Sequence, residues 1–197
     1  MTREALLAEL RPHIADDRVL AAVAAVPREA FVAPGDRARA WDNRALAIGC
    51  GQTISQPLVV ARMCEMLRIA PGDRVLDVGT GSGYHAAVLA ALGARVVSIE
   101  LHRALSAAAA PLLPGVELVV GDGRAGHPAG APYDAISVAA TAGAEIPRAL
   151  VDQLAAGGRL IAPLRCADTE RLVLLTRGAD GAVERAELEE VRFVPLV

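Results

Sequence analysis

The segment from residue 74 to residue 92 joins a short apolar strand, a glycine-rich turn and a helix, and it constrains the fold more than any other part of the chain. Residues 75–78 are apolar apart from Asp77 and predict a buried strand, while residues 85–92 consist mainly of helix formers. Between them lie three glycines, where the backbone can approach a ligand closely: Gly79, Gly81 and Gly83. Because the first turn of a helix offers unpaired N–H groups, this arrangement predicts a nucleotide-binding pocket.

The glycine spacing favours one class of nucleotide cofactor. The dinucleotide fingerprint Gly-x-Gly-x-x-Gly would require a glycine where Tyr84 stands, whereas this chain has Gly-x-Gly-x-Gly with Asp77 two residues upstream. A second acidic residue, Glu100, closes the next predicted strand, where such folds place a carboxylate against ribose hydroxyls. These two signals together predict S-adenosylmethionine rather than a nicotinamide dinucleotide.

Strands and helices alternate from about residue 71 onward. Strands are predicted near residues 74–78, 95–100, 116–120, 135–139 and 158–163, and helices near residues 83–92, 103–110 and 147–155. This alternation predicts a doubly wound, Rossmann-like α/β fold with a mostly parallel sheet. Asp180-Gly181 is a hairpin signal between two strand-like runs, so we expect antiparallel strands at the C-terminal edge. Gly157-Gly158 is interpreted as a turn before the last parallel strand.

The N-terminal third is organised differently. Residues 2–10 and 16–25 have apolar positions at helical spacing, and Pro57 suits the first turn of a third helix that ends near Leu67. Residues 31–56 lack sustained periodicity and should form a long ordered loop or short strands. A loop of that length in a compact domain is usually functional. We therefore expect one domain over residues 1–197, with a helical, loop-bearing extension at 1–70 and a cofactor-binding core at 71–197.

Three carboxylates follow predicted parallel strands and should converge, because ligands of doubly wound sheets bind outside the carboxyl ends of the strands. We expect Asp77 to orient the ammonium end of the methionine moiety through water or backbone, Glu100 to accept from both ribose hydroxyls, and Asp122 to accept from the adenine amino group. Taken singly, each could instead be a helix cap or a solvated loop residue. The expected cofactor site comprises Asp77, Gly79, Thr80, Gly81, Ser82, Gly83, Glu100, Leu101, Gly121, Asp122 and Gly123.

The composition argues against several other classes of protein. The formal net charge is -3 and no basic block occurs, so a nucleic-acid partner has no electrostatic support. Acidic residues interrupt the N-terminus and charges interrupt every long apolar stretch, so we expect no signal peptide, no membrane association and a cytoplasmic monomer. The three cysteines and four histidines have no disulfide or metal-ligand spacing.

A loop upstream of the glycine turn carries a family resemblance. Over residues 44–57 it reads Arg-Ala-Leu-Ala-Ile-Gly-Cys-Gly-Gln-Thr-Ile-Ser-Gln-Pro, which resembles the substrate loop of the protein-L-isoaspartate O-methyltransferases. The similarity extends over nearly the whole chain, including residues 26–32, 145–147 and 191–196. It implies a methyltransferase fold that uses S-adenosylmethionine, with Ser55 in the active site and isoaspartyl-containing proteins or peptides as partners. The residues implied to bind substrate are Gln52, Thr53, Ile54, Ser55 and Gln56.

The implied reaction needs no general base. The nucleophile would be the free α-carboxylate of an isoaspartyl residue, which is already ionised at neutral pH and attacks the sulfonium methyl directly. Catalysis is then mainly alignment, and the Ser55 hydroxyl is expected to position the carboxylate. From the local sequence alone, Thr53 and Ser55 could instead cap the helix that begins near Pro57. Cys50 and Ala47 stand where many relatives have histidine and proline, but neither change removes a donor or acceptor that this chemistry needs.

The leading interpretation is a repair enzyme, whose methyl esters cyclise to succinimide and partly reopen as normal aspartate. A close alternative is a dedicated enzyme that methylates aspartate in a ribosomally made natural-product precursor. A non-catalytic cofactor-binding protein is a third possibility, against which the presence of both Ser55 and the acidic cofactor positions argues. Methylation of a small molecule or of RNA would leave the loop at residues 52–57 without a role.

Overall fold

The N-terminal part of the chain forms three helices and a small hairpin. In the computed structural model, which describes residues 1–196, side chains of Thr2 and Asp16 cap the first two helices by accepting backbone N–H bonds. Val197, the last residue of the expected domain, lies outside the described residues. The elements of this part are α1 (Arg3–Leu10), α2 (Asp17–Ala25), β1 (Leu46–Gly49), β2 (Gln52–Ile54) and α3 (Pro57–Leu67).

The rest of the chain alternates between strands and helices as the sequence predicts, and ends in three long strands. Its helices are α4 (Tyr84–Ala91), α5 (Arg103–Ala109) and α6 (Arg148–Asp152). Its strands are β3 (Arg74–Val78), β4 (Arg95–Glu100), β5 (Glu117–Val120), β6 (Tyr133–Val138), β7 (Leu154–Cys166), β8 (Thr169–Arg177) and β9 (Val183–Val191).

These seven strands form one sheet in the order β5-β4-β3-β6-β7-β8-β9. Strands β3 to β7 are parallel to their neighbours within that group, while β8 runs antiparallel to both β7 and β9. The predicted doubly wound sheet with an antiparallel C-terminal edge is therefore confirmed. The chain moves outward from β3 to β4 and β5, and then returns to place β6 on the other side of β3. This reversal opens a crevice at the carboxyl ends of β3 and β6.

Apolar side chains cover both faces of the sheet, as buried parallel strands require. On β3, Val75 belongs to a core cluster with residues of α1 to α4, while its neighbour Leu76 belongs to a second cluster with residues of β6 and α6. The two side chains lie on opposite faces because side-chain direction alternates along a strand. The rigid centre of the sheet thus holds the ends of β3, β4 and β6 in place.

The last parallel strand differs from the prediction. It starts at residue 154 instead of 158, and α6 is correspondingly shorter than expected. On β6, Tyr133 pairs with Leu154 of β7, and Ala135 pairs with Arg159. Because the two partners on β7 are farther apart in sequence than the two residues on β6, β7 contains a bulge between Leu154 and Arg159. Gly157 lies in this bulge with a φ of +77°, so the predicted Gly-Gly turn is an irregularity inside the strand.

The segment predicted as a long ordered loop or short strands contains the β1–β2 hairpin, which lies close to the glycine turn. A Cβ atom built on Gly81 would be 3.4 Å from Cδ1 of Ile48 in β1. The hairpin turn consists of Gly49, Cys50 and Gly51, all with positive φ. Within residues 1–196, no helix is both long enough and apolar enough to cross a membrane.

Candidate active site

A cavity of about 760 Å³, counted with its open mouth, lies at the carboxyl ends of β3, β4 and β6. Its wall comes from distant regions of the chain: residues 52–55 with Val60, residues 78–85 without 83, residues 99–102, Gly123 with residues 139–140, and residues 194–196. The crevice expected from the strand order is therefore also the site of the predicted motif.

Eleven of the predicted site residues lie on this wall, and the others do not. Those on the wall are Gln52, Thr53, Ile54, Ser55, Gly79, Thr80, Gly81, Ser82, Glu100, Leu101 and Gly123. Those that the structure places elsewhere are Gln56, Asp77, Gly83, Gly121 and Asp122. Gly83 lies behind the wall, where an added Cβ would be 2.9 Å from the Leu113 side chain. Gly121 donates its N–H to the main-chain oxygen of Glu100 at 2.9 Å.

Glu100 connects the turns that follow β3 and β4. Its Oε2 accepts the N–H of Gly81 at 2.8 Å, and its Oε1 accepts the N–H of His102 at 2.9 Å. The residue is only 5% exposed, yet it lies on the cavity wall. A carboxylate has about four lone-pair sites, so each oxygen can accept one further hydrogen bond from a ligand hydroxyl.

The glycine turn has a backbone that other residues would adopt only with strain. Gly79 and Gly81 have φ values of +97° and +52°. The main-chain oxygen of Ile99 accepts the N–H of Gly79 at 2.9 Å and that of Thr80 at 3.3 Å, which ties the turn to the end of β4. The turn therefore presents its backbone, free of large side chains, to the cavity.

Asp77 lies beneath the glycine turn in a chain of buried polar groups. Its Oδ2 accepts from the Ser98 hydroxyl at 2.8 Å, and that hydroxyl shares a 2.6 Å hydrogen bond with Thr80. Within the described residues its Oδ1 has no hydrogen-bond partner, and Nδ1 of His85 is 3.7 Å away. An effect of Asp77 on a bound cofactor would have to pass through the turn. The expected role of Asp77 stays a prediction.

Asp122 is turned toward solvent and bonded to its neighbour. It accepts the backbone N–H of Arg124 at 2.9 Å and forms an ion pair with the Arg124 side chain at 2.8 Å. The side-chain hydrogen bond from Arg124 is the main reason that the pKa of Asp122 is lowered. Because exposed ion pairs contribute little free energy, the pair could separate, and the adenine contact stays a prediction.

The structure excludes the capping interpretation of the loop before α3. The N-cap residue of α3 is Gln56, and neither Thr53 nor Ser55 caps the helix. The N–H of Leu58 instead donates to Oδ1 of Asn43, at 3.1 Å, which satisfies part of the helix terminus. Thr53 and Ser55 lie on the wall of the same cavity as the glycine turn.

The C-terminal segment closes one side of the cavity, which sequence reasoning missed. Thr141 donates its N–H to Val194 at 2.7 Å and accepts the N–H of Leu196 at 2.8 Å, so the chain end forms a parallel bridge beside the end of β6. No periodicity or turn signal indicates this return, because it depends on a pairing of residues far apart in sequence. Tyr84 and His85, at the start of α4, were also missed, although their position directly after the third glycine could have indicated them.

Asp77 and His85 make opposite contributions to the pH dependence of stability. Burial raises the pKa of Asp77 from 3.8 to about 7, so between these values the folded chain binds a proton that the unfolded chain has released, and stability falls as pH rises. Burial lowers the pKa of His85 from 6.5 to about 4, so the unfolded chain binds the extra proton and stability rises with pH over that window. In the wild-type chain the two effects largely cancel.

We expect Asp77→Asn to remove the contribution of Asp77 to the pH dependence of stability, so that the opposite contribution of His85 becomes measurable. Relative to the wild-type chain, its free energy of unfolding should rise by up to about 1.4 kcal/mol per pH unit between about pH 4 and 7. Urea unfolding at several pH values measures this difference. The matched variant His85→Gln should show the opposite slope relative to wild type. Three parallel profiles would contradict the assignment of these two buried groups.

Comparison with known proteins agrees with this geometry. A sequence model of the family described as protein-L-isoaspartate(D-aspartate) O-methyltransferase (PCMT) matches residues 1–197. A protein-L-isoaspartate O-methyltransferase of Methanoculleus marisnigri is 50% identical over 189 residues, which cover 93% of this chain and 85% of the relative. One from Methylibium petroleiphilum is 49% identical and covers 100% of this chain and 77% of the relative.

Two solved structures are similar over nearly the whole chain. One protein-L-isoaspartate O-methyltransferase has a TM-score of 0.87 at 29% identity, covering 98% of this chain and 65% of that one. A putative protein-L-isoaspartate O-methyltransferase from Plasmodium falciparum, solved in complex with S-adenosyl-L-homocysteine, has a TM-score of 0.87 at 25% identity, covering 100% of this chain and 99% of that one. The chain therefore belongs to the protein-L-isoaspartate(D-aspartate) O-methyltransferase family.

Proposed function

We propose that this protein transfers a methyl group from S-adenosylmethionine to the free α-carboxylate of L-isoaspartyl residues in proteins and peptides, as a step in their repair. The observation that carries the proposal is that the loop at residues 52–55 and the glycine turn at residues 79–82 line the same cavity. The family membership of the chain supports the substrate class. The complex of the Plasmodium falciparum protein with S-adenosyl-L-homocysteine supports the cofactor.

The cofactor end of the cavity fits S-adenosylmethionine, which when bound supplies an electrophilic sulfonium methyl group. The fit rests on Glu100, a buried carboxylate with unused lone pairs on the cavity wall, and on a turn at Gly81 that carries no side chain. Glu100 accepts hydrogen bonds from the ribose hydroxyls, while Thr80 and Ser82 lie along the wall beside it. Asp77 stabilises the turn from below through Ser98 and Thr80. Asp122 would accept from the adenine amino group once its exposed ion pair with Arg124 separates.

The acceptor end of the cavity is formed by residues 52–55 and needs no general base. An α-carboxyl group has a pKa of about 3.5, so it is almost completely ionised at neutral pH. The resulting carboxylate is itself the nucleophile. The Ser55 hydroxyl donates a hydrogen bond to one carboxylate oxygen and leaves the other oxygen free to attack. The chain's contribution to the rate is orientation, because methyl transfer requires the oxygen, methyl carbon and sulfur to lie in line.

Paired peptides that differ only in Asp or isoAsp test the proposed function. We expect unrelated isoaspartyl peptides all to be methylated, since a repair enzyme recognises the backbone and the displaced carboxylate more than the neighbouring side chains. The normal aspartyl peptides should react at least about 100-fold more slowly, because a misplacement of about 1 Å has that effect on rate. Transfer of radiolabelled methyl groups measures both rates. Equal rates, or activity on one precursor peptide alone, would favour the dedicated aspartyl methyltransferase instead.

Ser55→Ala should slow methyl transfer, because it disturbs the position of the acceptor carboxylate, but it should not weaken cofactor binding. Loss of one hydrogen bond to a charged oxygen, about 1.5 to 3 kcal/mol, should lower methyl transfer by about 10- to 100-fold. Affinity for S-adenosylhomocysteine, measured by calorimetry, should not change, since the proposed partner of the hydroxyl is the acceptor carboxylate. A folded variant with wild-type turnover would show that Ser55 has no part in positioning the acceptor.

Gly81→Val should abolish cofactor binding in a folded protein. The added side chain would point toward Ile48 from a backbone with a φ of +52°, so the turn would move away from the cofactor. Gly115→Val is a matched control, because Gly115 also has a positive φ, of +85°, but lies in open space and outside the cavity wall. Both variants should lose stability, and Gly81→Val alone should lose affinity for S-adenosylhomocysteine. Equal affinities in the two variants would contradict the cofactor assignment.

A further inference from the structure

Arg28 is a fully buried cation whose hydrogen bonds go only to backbone carbonyl groups. It opens a short 3₁₀ turn after α2, and its side chain is 0% exposed. Its Nη1 donates to the carbonyl oxygen of Ala40. Its Nη2 donates to the carbonyl oxygens of Arg44 at 3.0 Å and Ser55 at 2.9 Å. The guanidinium of Arg28 thus binds three backbone carbonyl groups within residues 31–56, the segment without regular periodicity.

Two of these points are the two ends of the β1–β2 hairpin. Arg44 lies shortly before β1 begins at Leu46, and Ser55 directly follows the end of β2 at Ile54. Because the same nitrogen binds both carbonyl groups, the ends of the hairpin cannot separate or slide past one another without breaking a bond to Arg28. A guanidinium suits this task, since its N–H groups form a rigid planar fork.

Arg28 also contacts Tyr84, a residue of the cavity wall next to the glycine turn. Its guanidinium carbon is 5.5 Å from the ring centroid of Tyr84, which is the first residue of α4, lies on the cavity wall and directly follows the glycine turn. Phe31 packs edge-on against the same ring, with a centroid distance of 5.7 Å. Arg28 therefore lies between the loop that carries Ser55 and the helix that follows the glycine turn.

Arg28 stays protonated although its burial disfavours the charged form. Burial lowers the pKa of Arg28 to about 10, which leaves it protonated at neutral pH. Among the ion pairs of residues 1–196, none includes Arg28, and Asp42 stabilises its charge only at longer range. Since a buried charge without a close partner is costly, an apolar side chain would serve better if packing were the only task.

We propose that Arg28 is a positioning residue for methyl transfer: it sets the place of the Ser55 backbone relative to the glycine turn, and so aligns the acceptor carboxylate with the methyl group. This inference rests on the proposed function. Arg28 does not lie on the cavity wall and acts through the Ser55 carbonyl. The hydroxyl of Ser55 can align the acceptor only while its backbone is held in this place.

Arg28→Lys tests the proposal, because it keeps the positive charge and loses the planar fork. In the folded variant we expect kcat on an isoaspartyl peptide to fall by about 10- to 100-fold, with affinity for S-adenosylhomocysteine within about twofold of wild type. Phe31→Leu is the matched control, since it removes a buried contact with Tyr84 and leaves the three carbonyl bonds intact. It should lower the unfolding midpoint and retain wild-type kcat per folded molecule.

A double-mutant cycle separates positioning from a structural role. If Arg28 acts through Ser55, then Arg28→Lys should lower kcat by less than about threefold when Ser55 is already alanine, although it lowers kcat strongly in the wild-type background. A purely structural role predicts the same relative loss in both backgrounds, and that result would overturn the proposal. Wild-type kcat in folded Arg28→Lys would also overturn it.

A second variant and the assay of the wild-type protein complete the test. Arg28→Gln, which removes the buried charge and keeps two donors, is the second variant if Arg28→Lys does not fold. Failure of both variants to fold would assign Arg28 to stability alone and overturn the proposal. The wild-type protein is assayed first: absence of methyl transfer to any isoaspartyl peptide would contradict the proposed function, whereas an active wild type with an equally active Arg28 variant would contradict only the positioning role.

Discussion

The placement of β3 between two parallel neighbours is the constraint on which the rest of the site depends. Because β4 and β6 run parallel to β3, all three strands end at the same edge of the sheet, and the turns that follow them face one cavity. Glu100 then joins two of these turns, since its carboxylate accepts N–H bonds from Gly81 and His102. The same carboxylate thus shapes the cavity and offers lone pairs to a ligand.

The polar groups below the glycine turn divide into those that face the cavity and those that support it. Thr80 and Ser98 link the turn to the buried carboxyl of Asp77, which lies out of reach of the cavity. His85 lies beside Asp77, and burial opposes the charged form of both. This buried polar layer supports the turn from beneath through the hydrogen bonds of Thr80, Ser98 and Asp77.

Two segments outside the parallel sheet complete the cavity, each by a different means. The β1–β2 hairpin leads to Ser55 on the cavity wall, and the buried guanidinium of Arg28 holds both ends of the hairpin. Near the end of the described chain, residues 194–196 pair with Thr141 and cover the side next to β6. These parts of the cavity wall are therefore built from segments that the parallel sheet alone does not supply.

Local periodicity, turn chemistry and a family motif were enough to predict the strand–turn–helix of the glycine motif, the parallel alternation, the C-terminal hairpin and the loop at residues 52–55, which lines the cavity. Only the packing of distant segments shows which carboxylates reach the cavity: Glu100 lies on its wall, while Asp77 is buried beneath it and Asp122 pairs with Arg124. The same packing produces the bulge in β7, the return of the chain near residues 194–196 and the burial of Arg28. These depend on contacts between residues far apart in the chain, and their energies leave no trace in the spacing of neighbouring residues.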